Sequence, residues 1–319
     1  MIKKLTILCL FLTALYSFGF SQVKTNTEDT ALRTDSTEAQ NNYAPTTAEN
    51  ALLWAITGND LQDTSYLYGT IHMIAEKDFF LTPNTKKAFH NSEQVFFEID
   101  INQMNDFSIL FSLLGQVLMK DGVTLDKLLN EEDFQLVKSH FSTMGLPMFI
   151  LKKVKPMFLS SLISGNLGTQ ADTTSERIVS YEMEFLAMAK QEQKSVAGLE
   201  TIEYQMSVFD SIPYKDQAQM LVQSIKTENG HNSEFEQMIQ LYKNQDIVGM
   251  QTMFSSDAQG IAKYEDVFLK NRNQNWIPIM EKAMKDKTTL FAVGAGHLAG
   301  HIGIIALLRK EGYTLTPIR

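Results

Sequence analysis

The chain has 319 residues, a formal charge of −9 and one cysteine, Cys9. With its cysteine in the first ten residues, the body of the chain has no disulfide, zinc–thiolate site or cysteine nucleophile, so histidine and carboxylate must hold any metal. The acidic balance, without a basic patch interleaved with aromatics, argues against nucleic acid as a partner.

Residues 1–21 read as a secretory signal peptide. Lys3 and Lys4 form the charged start, Leu5 through Phe18 the apolar core, and Gly19-Phe20-Ser21 a cleavage site before Gln22. The apolar run is short for a membrane span. Cys9 lies inside that run rather than at its end, which disfavours lipidation there. Residues 22–49 are Thr-, Asn-, Ser- and Gln-rich with almost no apolar content, a composition that cannot offset its ordering entropy, so a disordered polar linker is expected. Residues 50–319 are then a single domain, and no transmembrane span is expected once the leader is removed.

Within that domain the first elements read as strands. Ala51–Ile56 and Ser65–Gly69 flank Gly58-Asn59-Asp60, the pattern of a β-hairpin. Pro83 opens a helix ending near Asn91, and Gln94–Asp100 forms a further strand. Helical periodicity then dominates to about Lys287, over 107–119, 131–144, 178–191, 215–226, 233–244 and 265–284. One strand, Lys194–Glu200, interrupts it. Pro147 and Pro156 bracket an apolar segment whose lysines make it a poor membrane span. Thr289–Gly294 is a strand, Gly300–Arg309 a helix, and Tyr313–Thr316 a closing strand stopped by Pro317. The order of strands, a large helical insertion and strands again predicts an α/β (α+β) fold with a central mixed sheet built from both ends of the domain.

One pattern occurs twice. Gly69-Thr70-Ile71-His72 follows the strand Ser65-Tyr66-Leu67-Tyr68, and Gly294-Ala295-Gly296-His297 follows Leu290-Phe291-Ala292-Val293. Each places an imidazole just past the C-terminal edge of a buried strand, where ligands collect in open α/β sheets. If the two strands are neighbours, histidines 225 residues apart converge on a split site. Neutral imidazole is a common divalent-metal ligand, and a carboxylate completes such a site. Glu98 ends the run Val95-Phe96-Phe97 and is the natural third member, since a carboxylate there is costly to desolvate unless paired. Asp100, two residues on, is a supporting candidate. Glu200 ends a strand in the same way. Arg272, amid Asn271, Asn273 and Asn275, is suited to holding a carboxylate or oxyanion bidentately, or to a structural ion pair.

His301 shares a face with His297 if a helix already runs there, although this His-x-x-x-His lacks the glutamate of the metalloprotease helix motif. His90, His140 and His231 stand on helices or loops and read as solvent-facing. The methionines on helix faces (Met183, Met188, Met206, Met220, Met238) read as core filler. No Gly-x-Ser-x-Gly, Gly-x-Gly-x-x-Gly or phosphate-loop motif occurs, so serine-nucleophile and nucleotide chemistry are poorly supported.

In order along the chain, several segments together resemble the TraB/GumN family, to which the Tiki proteases and the pheromone-shutdown protein PrgY belong. They are Tyr68–His72, Val95–Glu98, Gly198-Leu199-Glu200-Thr201 with Gln205, Arg272-Asn273 before Trp276, Val293–Leu298 and Gly312-Tyr313. The resemblance implies a fold like that of the erythromycin-esterase and ChaN-like proteins. It also implies a metal-dependent hydrolase of the Tiki kind, a peptidase using manganese or cobalt (with zinc possible) whose essential residues map onto His72, His297 and Glu98. The family's Gly-x-Asp ahead of a helix is replaced here by Ser180-Tyr181-Glu182, which keeps a carboxylate.

The metal ligands expected are thus His72, Glu98 and His297, and the candidate catalytic set adds Arg272. The substrate expected is a peptide or protein, and the location periplasmic or extracellular. Alternatives from other classes are a non-catalytic protein that sequesters a peptide or haem, and a metal-independent hydrolase of the erythromycin-esterase type.

Overall fold

The computed structural model of the chain describes residues 43–101, 115–164, 177–228, 233–255 and 262–319. The expected leader, the expected linker up to residue 42 and most of the expected helix over 107–119 lie outside them. The last residues of the expected linker are packed: Glu49 pairs with Arg309 Nη2 at 2.6 Å, and Arg319 Nη2 donates to the carbonyl of Ala48 at 2.6 Å.

The first two strands, β1 (Leu53–Gly58) and β2 (Ser65–Thr70), form the expected antiparallel hairpin, with Leu53 opposite Tyr68. Three consecutive residues with positive φ, Gly58, Asn59 and Asp60, turn the chain. A two-residue strand β3 (Ile74–Ala75) precedes helix α1 (Pro83–Asn91), which Thr82 caps by accepting from Thr85 N at 3.1 Å. Strand β4 (Gln94–Ile99) follows. The insertion contains α2 (Glu131–Thr143) and α3 (Pro156–Ser164), then β5 (Ile178–Val179), α4 (Tyr181–Gln191), strand β6 (Ser195–Glu200) and α5 (Ile202–Val208). It also contains α6 (Tyr214–Glu228), α7 (Ser233–Lys243) and α8 (Ile247–Ser255), besides two one-turn helices over Leu125–Leu128 and Met148–Leu151. A π-helical turn over Asp266–Lys270 leads into α9 (Asn271–Asp286), and β7 (Thr289–Gly294), α10 (Ile304–Lys310) and β8 (Tyr313–Ile318) close the chain.

The six-stranded sheet has the order β6-β4-β7-β2-β1-β8. Pairings β6/β4, β4/β7 and β7/β2 are parallel, while β1 runs antiparallel to β2 and β8. The sheet is therefore mixed, as expected, and its second and seventh strands are direct neighbours. Every residue of β7 is buried, which fits a central strand covered on both faces. The four parallel strands bring their C-terminal ends, carrying Thr70, Glu98, Glu200 and Gly294, to one edge. The insertion has a smaller core of its own, in which Val137 and Phe141 of α2 pack with Leu159 of α3 and Leu221 and Ile225 of α6.

Three local expectations are corrected. Ile178 and Val179 are not the start of a helix but pair antiparallel with Ala75 and Ile74, and the helix begins only after Ser180 caps it. Residues 300–303 are a turn with Gly300 at φ +78°, so the last helix starts at Ile304. Pro317 does not stop the last strand but lies within it, opposite Trp54. Because β8 is the edge strand, a residue without an N–H is tolerated there.

Candidate functional site

The two Gly-x-x-His corners meet because β2 and β7 pair in parallel with Thr70 beside Gly294. Gly69 makes the contact close: a Cβ there would stand 2.9 Å from Leu298 Cδ2 and 3.1 Å from Ala295 Cα. Beyond Gly294 the chain enters a 3-10 turn over Ala295–His297, which tucks the His297 side chain inward and leaves it fully buried. His72 stays at the mouth, its side chain 13% exposed.

Behind the histidines lies a charged cluster, Arg272, Glu98 and Glu200, drawn from α9, β4 and β6. Arg272, fully buried on α9, donates through Nη2 to Glu98 Oε2 at 2.7 Å and to Glu200 Oε1 at 2.7 Å. Its Nε faces both oxygens of Glu200, and its Nη1 reaches the Phe268 carbonyl and His297 Nε2, each at 3.2 Å. All three guanidinium nitrogens are thus directed at protein groups. Glu98 Oε1 accepts from the backbone N–H of Gly294 at 2.9 Å, and Gln205 Nε2 bridges Glu98 and Glu200 at 3.1 Å each. Trp276 Nε1 donates to Glu200 Oε2 at 2.9 Å, and the Trp276 ring lies 4.5 Å from that of His297. Arg272, Asn273, Trp276 and Met280 share the buried face of α9 at helical spacing, so one element supplies several partners.

The hydrogen bonds assign the imidazole protons. Asn273 Nδ2 donates to the carbonyls of Ile302 (2.8 Å) and His297 (3.4 Å), so its Oδ1, 2.6 Å from His297 Nδ1, is the acceptor. His297 therefore carries its proton on Nδ1 and turns the Nε2 lone pair toward Arg272, with Glu98 Oε1 3.8 Å away. Burial and then the Arg272 charge push its pKa down to about 3, so it is neutral at physiological pH. His72 is the opposite case. Burial works against its charged form, but Glu182 Oε1, 2.9 Å from Nδ1, outweighs that and holds the pKa up at about 9. Glu182 in turn accepts from Thr70 Oγ1 at 2.7 Å and Ser180 Oγ at 2.9 Å, and its own pKa is lowered by His72 against the pull of burial. For Glu98, burial raises the pKa, yet Arg272 first and the histidines next bring it to about 2. Glu200, under the same burial and repelled by Glu98, is held above its usual range despite Arg272.

The structure thus gathers His72, Glu98, His297, Arg272 and Glu200 at one sheet edge. Asp100 lies just past β4, half-buried. His301 is exposed in the turn before α10, and no helix links it to His297. His90 is exposed and 3.3 Å from Glu192, His140 lies half-buried beside Phe141, and His231 falls outside the described residues. Two participants were not singled out by residue pattern alone. Glu182, which the resemblance marks only as a retained carboxylate, orients His72. Its signal is the helix start Ser180-Tyr181-Glu182, where a cap holds an acidic residue in the first turn. Asn273, directly after Arg272, orients His297, and nothing in its spacing announces this.

The donor set suits a divalent cation in kind. Each imidazole has its Nδ1 held by a partner, the arrangement that orients metal-ligating histidines, while His297 Nε2 also lies 3.2 Å from Arg272 Nη1, which a bound cation would have to displace. Glu98, Glu182 and Glu200 stand against one guanidinium, so a cation that displaced the His72 proton would face two net negative charges. The set is not a finished cage: among the described residues no three His, Cys, Asp or Glu side chains stand close enough together to hold a metal ion.

A sequence model of the TraB/PrgY/gumN family matches residues 52–317. The chain belongs to this family. Among curated TraB/PrgY/gumN-type relatives it is similar to "Metalloprotease TIKI1" of Danio rerio, 23% identical over 83% of this chain and 62% of that protein. It is also similar to "Metalloprotease TIKI2" of Xenopus tropicalis, 23% identical over 83% of this chain and 59% of that protein. "Metalloprotease TIKI homolog" of Nematostella vectensis is 21% identical over 96% and 74%. The chain spans about 60% of the length of the first two. No solved structure matches. Among the described residues no helix is long and apolar enough to cross a membrane.

Proposed function

We propose that this TraB/PrgY/gumN member is an exported, divalent-metal-dependent peptidase. The observation that carries the reading is the meeting of both Gly-x-x-His imidazoles with Glu98 at one sheet edge, each with its own orienting partner. The relatives' printed name, metalloprotease, supports it. The cation, manganese or cobalt by the family resemblance, would be held by His72, His297 and Glu98. When bound, it supplies an acidified water and polarises the scissile carbonyl.

The chain's own residues prepare that site. Asn273 fixes the His297 tautomer, so that a lone pair and not an N–H faces the centre. Glu182 holds the His72 ring by Nδ1. Arg272 and the Gly294 N–H keep Glu98 ionised far below neutral pH, which suits a ligand or charge stabiliser better than a proton shuttle, whose pKa should lie near the working pH. With its guanidinium engaged by Glu98, Glu200 and Phe268, Arg272 acts here as a clamp on carboxylates rather than a donor to substrate. Burial of His297, Glu98 and Arg272 keeps bulk water from the inner side, and the His72 side chain is only 13% exposed. The leader expected over residues 1–21 supports export.

The test is elemental analysis after manganese or cobalt loading, comparing wild type with His72→Ala/His297→Ala, followed by hydrolysis of a peptide library. One metal per chain, lost together with hydrolysis in the double variant, is the expected result. Metal-free wild type, or hydrolysis surviving the double substitution, overturns the reading.

A further inference from the structure

The two edges of the six-stranded sheet are finished differently. At one edge β8 carries Pro317, which has no N–H to offer, and its Leu315 carbonyl accepts from Arg309 Nη2 at 3.1 Å. Proline and covering groups close an edge strand to further pairing. At the other edge β6 reads Ser195-Val196-Ala197-Gly198-Leu199-Glu200, with no proline and no basic residue. Its inner side pairs in parallel with β4, so its outer side presents a row of N–H and C=O groups. Among the described residues no strand lies beyond β6, and no hydrogen bond from outside the ladder reaches the backbone of residues 195–199. Ser195 is exposed, and Val196, Ala197 and Gly198 are half-buried, with side chains small enough for another backbone to come close. The open strand leads to the carboxylate cluster: its last residue, Glu200, bonds Arg272, which bonds Glu98.

From this arrangement we infer that β6 is a docking strand for an extended polypeptide, which adds to the sheet as a further strand through main-chain hydrogen bonds. That this polypeptide is the substrate rests on the peptidase reading; that it binds does not. Ladder bonds go to main-chain groups that every residue except proline has, so recognition tolerates many sequences and requires an unfolded segment instead. A strand added outside β6 lies two strand spacings from β4 and three from β7, roughly 10 and 14 Å at about 4.8 Å each. At about 3.3 Å per residue, roughly three or four residues cross from the docked segment to the histidines. With about five more held along β6, the peptides served best have about nine residues or more. Tripeptides cannot use the edge and reach the histidines together.

The binding test does not need catalysis. The metal-free full chain would be mixed with the peptide acetyl-(Lys-Thr-Val-Thr)3-amide and, separately, with its counterpart methylated on every backbone nitrogen, which has the same charge and no ladder donors. Residue-resolved hydrogen exchange by NMR reads the amides of 195–199. Those that exchange fast in the free chain should slow at least tenfold at saturating peptide and be unmoved by the methylated counterpart. Neighbouring residues turn their N–H groups to opposite sides, so one of Val196→Pro and Ala197→Pro keeps the ladder with β4 and loses only an outward donor. Whichever stays folded by circular dichroism should bind the peptide at least tenfold more weakly; if neither folds, the methylated counterpart decides. No slowing, or equal slowing by both peptides, overturns the docking strand. So does slow exchange of all these amides in the free chain, light scattering then telling whether a second copy or the chain itself covers β6.

Hydrolysis by the manganese- or cobalt-loaded chain separates the two ideas. Long unfolded peptides cut at least tenfold faster than tripeptides, an advantage lost in the folded proline variant, support both. Protection of β6 without cleavage of any peptide keeps the docking strand and sinks the peptidase. Tripeptides cut as fast as long peptides, with β6 unprotected, keep the peptidase and sink the docking strand.

Discussion

Replacing Arg272 by methionine should reverse the sign of the Glu98 contribution to the pH dependence of stability. In the wild type the guanidinium neutralises Glu98 and part of Glu200, with bonds to both at 2.7 Å. Glu98 titrates near 2 instead of 4.5, a gap worth on the order of 3 kcal/mol of folding stability. Because its folded pKa is depressed, that contribution is present above the unfolded carboxylate range and is lost as pH falls toward 2. Glu200, whose folded pKa is raised by burial, opposes it: its contribution is present at low pH and lost as pH rises.

Arg272→Met removes the cation these two carboxylates share and leaves both buried, each raising the other's pKa. Removing one partner of a buried pair costs roughly 3–5 kcal/mol at neutral pH. In the variant both contributions are present below the unfolded carboxylate pKa and lost as pH rises through the raised values. Urea unfolding of the metal-free protein at pH 4, 5.5 and 7 measures this. The variant should be weakest at pH 7 and recover toward pH 4. Adding Glu98→Gln and Glu200→Gln should restore much of the loss at pH 7. A variant within about 1 kcal/mol of wild type at pH 7, with an unchanged pH slope, would refute the claim that Arg272 holds the cluster together, since that loss is well under the cost expected.

Three further outcomes are expected. In metal-free Glu182→Gln the His72 pKa should drop well below about 9, because only the smaller attraction of Glu98 then opposes burial; NMR titration of the imidazole protons reads it, and a value still near 9 contradicts the pairing. The same variant should lose stabilisation that the wild type has below pH 6.5 and gives up as pH rises through 9. Gly69→Ala should cost about 1–3 kcal/mol in chemical denaturation, since its Cβ would press on Leu298 and the Ala295 backbone; a neutral effect would mean the corners do not meet closely. Asn273→Ala frees His297 to adopt the other tautomer, so affinity for manganese or cobalt should fall roughly 10- to 100-fold by calorimetric titration, and undiminished affinity would place the cation elsewhere.

Strands and long helices could be read from the chain because their signals are local. The apolar runs at Ser65–Gly69, Gln94–Ile99 and Thr289–Gly294 and the periodic stretch from Glu131 are strands and a helix in the structure. The Gly-x-x-His echo was visible for the same reason: a strand, a glycine and a histidine are contiguous. What only the tertiary structure decided is everything set by partners far along the chain. Ile178 and Val179 are a strand because Ile74 and Ala75 lie opposite, and Pro317 sits in a strand because β8 happens to be the sheet edge. The two histidines meet because β7 is inserted between β4 and β2, an order no periodicity encodes. Likewise Glu182 and His72, 110 residues apart, and Arg272 and Glu98, 174 apart, take their protonation states from each other. A side chain's type and local period determine which element it joins and which face it takes. Its pKa depends on burial and on charges within a few ångströms, and only the folded chain brings those together.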